Sequence, residues 1–229
     1  MKNISPTYKD LLSVKSSDNG DLLVVLNDYY PKGMICSYQK ADMYPWLKNV
    51  FLARSGVAKK LKMAAKLLES RKSGYKLLVV YAYRHPLVQK RYFLKRRREL
   101  ALEKNLSGED LNELTHNFVA VPSVAGHPCG AAVDVTIVSP KEPLDMGTAI
   151  ADFAQEKKIV TYNSYISNVQ KNNRLLLRSI MLEVGFAPFD GEWWHFSYGD
   201  REWAYYYKRP YSLYEPISLT KNKNECNII

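Results

Sequence analysis

The sequence predicts an α+β fold: a single domain with a mostly antiparallel central sheet flanked by helices. The chain has 229 residues, 46% of them hydrophobic, which suits one full core and one large domain. Helical and strand-like segments intermix without regular alternation and without internal repeats. We therefore treat residues 1–229 as one domain, with an irregular N-terminal segment to about residue 50 and a frayed tail over residues 220–229.

The first half of the chain contains two strand-like runs separated by a helical segment. Residues 22–26, LLVVL, suit a short strand, and loop sequence follows. Residues 55–70 place apolar side chains at helical spacing with lysines on the other face, and Gly74 follows as a helix stop. LLVVYAY, residues 77–83, is typical of a buried strand, and Arg84 stands at its end.

Three more helices and one more strand follow. A basic helix is predicted over residues 87–104, and Ser107 supplies a loose capping signal for a short helix. AAVDVTIV, residues 131–138, is typical of a strand. Residues 171–184 show an apolar stripe that predicts the last long helix.

The charge and the cysteines limit the functional classes. The formal net charge is +10 and the sequence pI is about 9.3, so a polyanionic partner is conceivable. The one dense cluster, Lys95 to Arg98, favours a solvated helix face over a phosphate-binding patch, because no nucleic-acid motif accompanies it. Nucleic acid is therefore not the expected partner. Cys36, Cys129 and Cys226 are too few for a disulfide framework.

No run approaches the roughly 18 to 20 apolar residues of a membrane-spanning helix. The N-terminus lacks the basic, apolar and small-residue order of a secretory signal. We therefore expect no membrane span and a cytoplasmic location. The sequence leaves the oligomeric state open.

An aspartate lies inside an otherwise apolar strand. In GHPCGAAVDVTIV, residues 126–138, Asp134 is surrounded by small and branched apolar residues. An ionised carboxylate is costly to bury unless it is paired or binds a metal. His127 precedes the strand, where a turn at Gly130 could bring its ring back to Asp134. From this pair alone, a hydrogen bond that fixes a loop and a metal site explain the pattern equally well.

A third candidate ligand lies near the C-terminus. EWWHFSY contains Glu192 and His195, which reach one site only if the backbone bends there, because residues three apart in a strand face opposite sides. Two histidines and one aspartate make a zinc site with three protein ligands and room for water. Glu192 is then a candidate base for that water. Arg84 is a candidate for stabilising the oxyanion, although a surface arginine is an equal alternative.

The motifs YxYR, HxxxxxxD and EWWH, in this order, resemble those of the zinc D-alanyl-D-alanine dipeptidases of the vancomycin-resistance type. These enzymes belong to a wider group of D,D-peptidases that includes D,D-carboxypeptidases. The likeness extends from about residue 52 to residue 198 and includes AYRHP, AGHPCGAAVDVTIV, LDMG and EWWHF. It implies hydrolysis of a small peptide substrate, D-alanyl-D-alanine, in cell-wall peptide metabolism. The site that it implies has one zinc ion per chain on His127, Asp134 and His195, with Glu192 as base and Arg84 stabilising the transition state.

The chain departs from the family pattern at positions that recognise substrate. Tyr81 stands where an acidic residue is common, and Ala125 where a serine is common. After the Met-Gly pair, Ala151 stands where an aspartate would hold the free amino group of the substrate, and Asp152 is displaced by one position. A D,D-carboxypeptidase or a wall endopeptidase acting on longer peptides is therefore the alternative. A non-catalytic binding protein with structural zinc is a weaker rival, since structural sites normally have four protein ligands.

The remaining histidines and Cys129 are not expected to bind metal. His85 precedes a proline at a helix start, and His116 is expected to face solvent. Cys129 is expected to be a small buried thiol. Trp193 and Trp194 are expected to wall the pocket on one side and to pack the core on the other.

Overall fold

The computed structural model describes residues 6–38 and 40–219. Within them the strands are β1 (Leu23–Val25), β2 (Met34–Cys36), β3 (Leu52–Arg54), β4 (Lys76–Tyr81), β5 (Ala132–Val138), β6 (Ala187–Pro188) and β7 (His195–Ser197). The α-helices are α1 (Tyr8–Ser13), α2 (Tyr44–Leu47), α3 (Ser55–Arg71), α4 (Pro86–Lys104), α5 (Gly108–His116), α6 (Glu156–Ile159), α7 (Asn168–Glu183) and α8 (Arg201–Tyr206). The tail predicted over residues 220–229 lies outside the described residues.

The central sheet has five strands in the order β2-β4-β5-β7-β6. Only the edge pair of β2 and β4 is parallel, and the other three pairs are antiparallel. Strands β1 and β3 form a separate two-stranded sheet. The prediction of an α+β fold with a mostly antiparallel central sheet is confirmed.

The long helices agree with their predictions, and they cover the sheet. Helix α3 buries Val57, Leu61 and Leu68 in the same core cluster as Val133 and Val135 of β5. Helix α7 begins at a capping box in which the Ser167 and Gln170 side chains each bond the backbone of the other. At the start of α5 the predicted cap differs, because the Ser107 side chain makes no capping hydrogen bond.

Residues 6–38 and 40–50 contain more regular structure than expected. They contain α1, β1, β2 and α2. Strand β1 lies within the strand predicted over residues 22–26, whereas β2, an edge strand of the central sheet, was not expected. Strands of three residues, such as Met34–Cys36, are too short to show a periodic pattern. The chain after EWWHFSY also continues in regular structure, as helix α8.

Within residues 6–38 and 40–219, the structure has no helix that combines the length and the apolar character needed to cross a bilayer.

Candidate active site

His127 is held in one orientation by its backbone and by one hydrogen bond. It begins a short 3-10 turn, His127–Cys129, which ends at Gly130 with a φ of 68°, a conformation that favours glycine. The Nδ1 atom lies 2.7 Å from the carbonyl oxygen of Ala82. Because a carbonyl only accepts, Nδ1 carries the proton in the neutral ring, and Nε2 of that ring keeps its lone pair. That lone pair is available to a metal ion.

Asp134 lies in the middle strand of the site. Its position on β5 is paired with Tyr81 of β4 and with His195 of β7, so strand register alone places the histidine beside the aspartate. The Asp134 Oδ1 atom is 3.0 Å from His195 Nδ1 and 3.5 Å from His127 Nε2. Burial opposes ionisation of Asp134, but the two histidines hold its pKa well below the usual range. The buried carboxylate is therefore kept as an anion.

The three side chains expected to converge do so. One ligand atom from each of His127, Asp134 and His195 lies within 4.8 Å of the other two. Two imidazole nitrogens and a carboxylate oxygen are typical donors to zinc. The donor set therefore fits this metal.

Glu202 faces the far nitrogen of His195, and sequence reasoning missed it. Its Oε2 atom is 3.9 Å from His195 Nε2. Burial tends to lower the pKa of His195, but the bond to Asp134 and the charges of Asp134 and Glu202 raise it to about 9. Glu202 comes from α8, beyond the motifs, and no local pattern marks it.

Glu192 reaches the same pocket because the backbone turns before β7. The Glu192 N–H donates to the carbonyl of Phe189 at 2.9 Å, and the His195 N–H donates to the carbonyl of Glu192 at 3.1 Å. The bend that the sequence required is therefore present. Burial raises the pKa of Glu192 to about 7, against the opposing charge of His195. A carboxyl group with such a pKa suits proton transfer near neutral pH.

Arg84 lies across the pocket and is not a surface arginine. Its backbone N–H donates to the carbonyl of His127 at 3.1 Å. Its Nη1 donates to Gln89 Oε1 at 2.8 Å, and the guanidinium carbon is 4.6 Å from the centre of the Tyr81 ring. The Nε atom is buried and has no hydrogen-bond partner among the residues that the structure describes. The pocket therefore presents a fixed positive charge.

The pocket has a volume of about 290 Å³. The groups described above form one wall, and other residues form a second wall. Part of this wall comes from α4, through Gln89 and Tyr92. Ala151, with a φ of 58°, also lines it, whereas the Asp152 carboxylate accepts a hydrogen bond from Gln155 Nε2 at 2.5 Å. The position where the family pattern has a carboxylate to hold an amino group is therefore occupied by a methyl group.

The expectations about other residues near the site had different outcomes. The prediction that His116 faces solvent is wrong: the residue is 9% exposed, its Nδ1 accepts from the Val121 N–H, and its ring packs near Tyr8. Helix α1 covers it, which the sequence of α5 alone does not show. Cys129 is buried, as predicted. Trp194 is buried and lines the pocket, and Trp193 is buried too.

Two of the four residues in the basic cluster, Arg96 and Arg97, are paired within the protein. Arg96 forms ion pairs with Glu99 and Glu103 of its own helix and with Glu156. Arg97 donates to the Asn112 side chain at 2.8 Å. These contacts agree with a helix face that is not a phosphate-binding patch, although Lys95 and Arg96 also line the pocket.

Comparison with protein families decides the class of the protein. The model of the M15 peptidase family, described as D-Ala-D-Ala dipeptidase, matches residues 39–216. The chain belongs to this family. This M15 peptidase is a metallopeptidase hydrolase, and the resemblance read from its motifs is confirmed.

The M15 peptidase is similar to curated D-alanyl-D-alanine dipeptidases. One from Synechocystis sp. is 28% identical over 194 residues, which cover 75% of this chain and 78% of the relative. One from Enterococcus faecalis is 34% identical over 85 residues, or 36% of this chain and 40% of the relative. Among solved structures, a Zn(II)-bound mutant of the vancomycin-resistance D,D-pentapeptidase VanY is 18% identical, covers 66% of this chain and 75% of its own, and has a TM-score of 0.40.

Proposed function

We propose that this M15 peptidase hydrolyses D-alanyl-D-alanine with one zinc ion per chain, held by His127, Asp134 and His195. The observation that carries the proposal is the convergence of their three ligand atoms within 4.8 Å, beside Glu192 in the same pocket. We also propose that residues 1–229 form one peptidase domain, and the expected cytoplasmic location stays a prediction.

The surroundings of the three ligands support metal binding. Nδ1 of His127 donates to a backbone carbonyl, and Nε2 of His195 faces Glu202. Metal-binding histidines typically have such a partner on the ring nitrogen that does not bind the metal, because the partner fixes the ring orientation and the tautomer. A zinc ion, when bound, acts as a Lewis acid and lowers the pKa of water to about 7.

Glu192 is the proposed general base and acid. Its carboxylate removes a proton from the attacking water and later donates this proton to the amine that leaves. The pKa of about 7 matches both tasks, since the group is then partly ionised at neutral pH. Burial in the pocket supplies this pKa.

Arg84 is proposed to stabilise the negative charge that develops on the carbonyl oxygen of the scissile bond. Its guanidinium lies in the same pocket, and its buried Nε has no partner among the described residues. A fixed donor aimed at a developing charge stabilises a transition state without reorganisation.

A D,D-carboxypeptidase acting on longer wall peptides is the second candidate. One observation favours it: Ala151 lines the pocket, while the Asp152 carboxylate bonds Gln155. A free ammonium group buried there has no carboxylate from this loop, and an unpaired buried charge is costly. In a longer wall peptide, a peptide bond takes the place of this ammonium group and carries no charge that needs a partner. The non-catalytic rival is dropped, because the family is one of peptidases.

The test measures metal and substrate together. We expect one zinc per purified chain, release of D-alanine from D-alanyl-D-alanine, no release from L-alanyl-L-alanine, and loss of activity on chelation that zinc reverses. Undiminished turnover in zinc-free protein would overturn the proposal. Faster release from a pentapeptide ending in D-alanyl-D-alanine would instead select the second candidate.

A further inference from the structure

Two tyrosine rings hold the guanidinium of Arg84. Its central carbon lies 4.6 Å from the ring centre of Tyr81 and 5.4 Å from that of Tyr92. Gln89 bonds Nη1 and is itself fixed by a 2.8 Å bond from its Nε2 to the carbonyl of Ala120. No carboxylate forms an ion pair with Arg84 in the described part of the chain. The guanidinium is therefore held by ring faces and an amide oxygen and not by a carboxylate in direct contact.

Both rings are tied to a single carboxylate oxygen. The Tyr81 hydroxyl and the Tyr92 hydroxyl each donate to Asp42 Oδ2 at 2.6 Å. The other oxygen of Asp42 accepts the N–H of Met43 at 3.0 Å. Hydrogen bonds to an ionised acceptor are about twice as strong as neutral ones. Asp42 therefore clamps β4 and α4 together at the place where Arg84 lies.

The backbone around Tyr81 is shaped for this contact. The register of β4 against β5 shifts between Val79 and Tyr81, which places Tyr81 opposite Asp134. Bulges of this kind re-aim side chains next to active sites. The Tyr81 ring also packs edge-on against His127, with ring centres 5.4 Å apart. One ring thus sits between the candidate metal site and Arg84.

We propose that Asp42 is a positioning residue that acts on Arg84 through the hydroxyls of Tyr81 and Tyr92. The inference rests on the proposed role of Arg84 in hydrolysis. Asp42 holds both rings in place, and the rings hold the guanidinium at the pocket. A tyrosine side chain separates the negative charge of Asp42 from the guanidinium. A carboxylate in direct contact would occupy the donors that the substrate oxygen needs. The clamp gives Arg84 a fixed position and keeps those donors free.

The main test uses the double variant Tyr81→Phe with Tyr92→Phe, which keeps Asp42, both rings and Arg84. We expect kcat for D-alanyl-D-alanine to fall about tenfold, with KM little changed, because a loosened guanidinium loses transition-state contacts. Zinc content should stay at the wild-type value. The matched control is Tyr83→Phe, which removes a buried hydroxyl that donates to Ile217 instead, also at 2.6 Å, and should keep wild-type kcat.

A mutant cycle separates positioning from general loosening of the fold. Asp42→Ala should lower kcat in the wild-type background and have no further effect in the Arg84→Ala background. An equal loss in both backgrounds, or an unchanged kcat in the folded double phenylalanine variant, would overturn the inference.

Failure of the role proposed for Arg84 and failure of the inference about Asp42 give different results. If Arg84→Ala hydrolyses the dipeptide at the wild-type rate, the role proposed for Arg84 is wrong and the clamp has no catalytic effect. If Arg84→Ala is impaired while Asp42→Ala is not, only the inference about Asp42 fails.

Discussion

The two walls of the pocket are built in different ways. The sheet wall consists of His127, Asp134, Glu192 and His195, on or directly beside paired strands. The helix wall consists of Gln89 and Tyr92 on α4 together with the loop around Ala151. Strand register fixes side chains relative to one another, whereas loops tolerate change. The groups proposed for metal binding and proton transfer thus lie on or near paired strands, whereas Ala151, at the position proposed to face the substrate's amino group, lies in a loop.

The largest effect is expected on the sheet wall, from Glu192→Gln. The variant keeps the shape of the side chain but removes the base, so turnover should fall by about a thousandfold. Zinc content, measured by metal analysis, should be unchanged. The matched control is Glu142→Gln at an exposed position, which should retain full activity. Hydrolysis at the wild-type rate in Glu192→Gln would remove its role as base.

Asp134→Asn tests the centre of the sheet wall. Losing the charge that faces both histidines should weaken zinc affinity more than about 100-fold, since changes to outer-shell partners alone cost about 10- to 100-fold. The measurement is a competition titration with a chelator. Asp28→Asn is the control, because Asp28 is exposed and its φ of 58° also suits asparagine. A wild-type affinity for zinc in Asp134→Asn would contradict the proposal that Asp134 is a zinc ligand.

Ala151→Asp tests the helix wall. A carboxylate at this pocket position should pair with a free ammonium group and raise kcat/KM for the dipeptide relative to an N-acylated peptide about tenfold. Ala149→Asp, at an exposed position of the same loop, is the control and should leave the ratio unchanged. No change for Ala151→Asp would mean that the substrate's amino group lies elsewhere.

The smallest expected effect is a change with pH in the free energy of unfolding of the metal-free protein. The folded-state pKa values are raised, to about 9 for His195 and about 7 for Glu192. Stability that depends on a raised pKa is present below the unfolded value and is lost as pH rises through the folded value. The free energy of unfolding should therefore fall between about pH 5 and pH 9.

Thermal melting in a chelator measures this loss, at about 2 to 4 °C per kcal/mol for a chain of this size. His195→Ala should flatten the upper part of the curve. A melting temperature that rises over the same pH range would contradict the assignment.

Much of the fold and the site could be predicted because their signals are local. The apolar stripes of α3 and α7, the run of β5 and the polar residues within it are all encoded over a few consecutive residues. Asp134 stood out for the same reason, since a charge among apolar neighbours needs a partner. The motifs around Arg84 and Glu192 then supplied the other members of the candidate site.

Only the tertiary structure shows which residues contact the site residues from distant parts of the chain. Asp42, Gln89 and Glu202 lie on a loop before α2, on α4 and on α8, and none carries a local pattern that points to the pocket. The burial of His116 under α1 is a long-range contact of the same kind. Local sequence determines periodicity and burial, but contacts between distant segments depend on how these segments pack, and packing is a property of the whole chain.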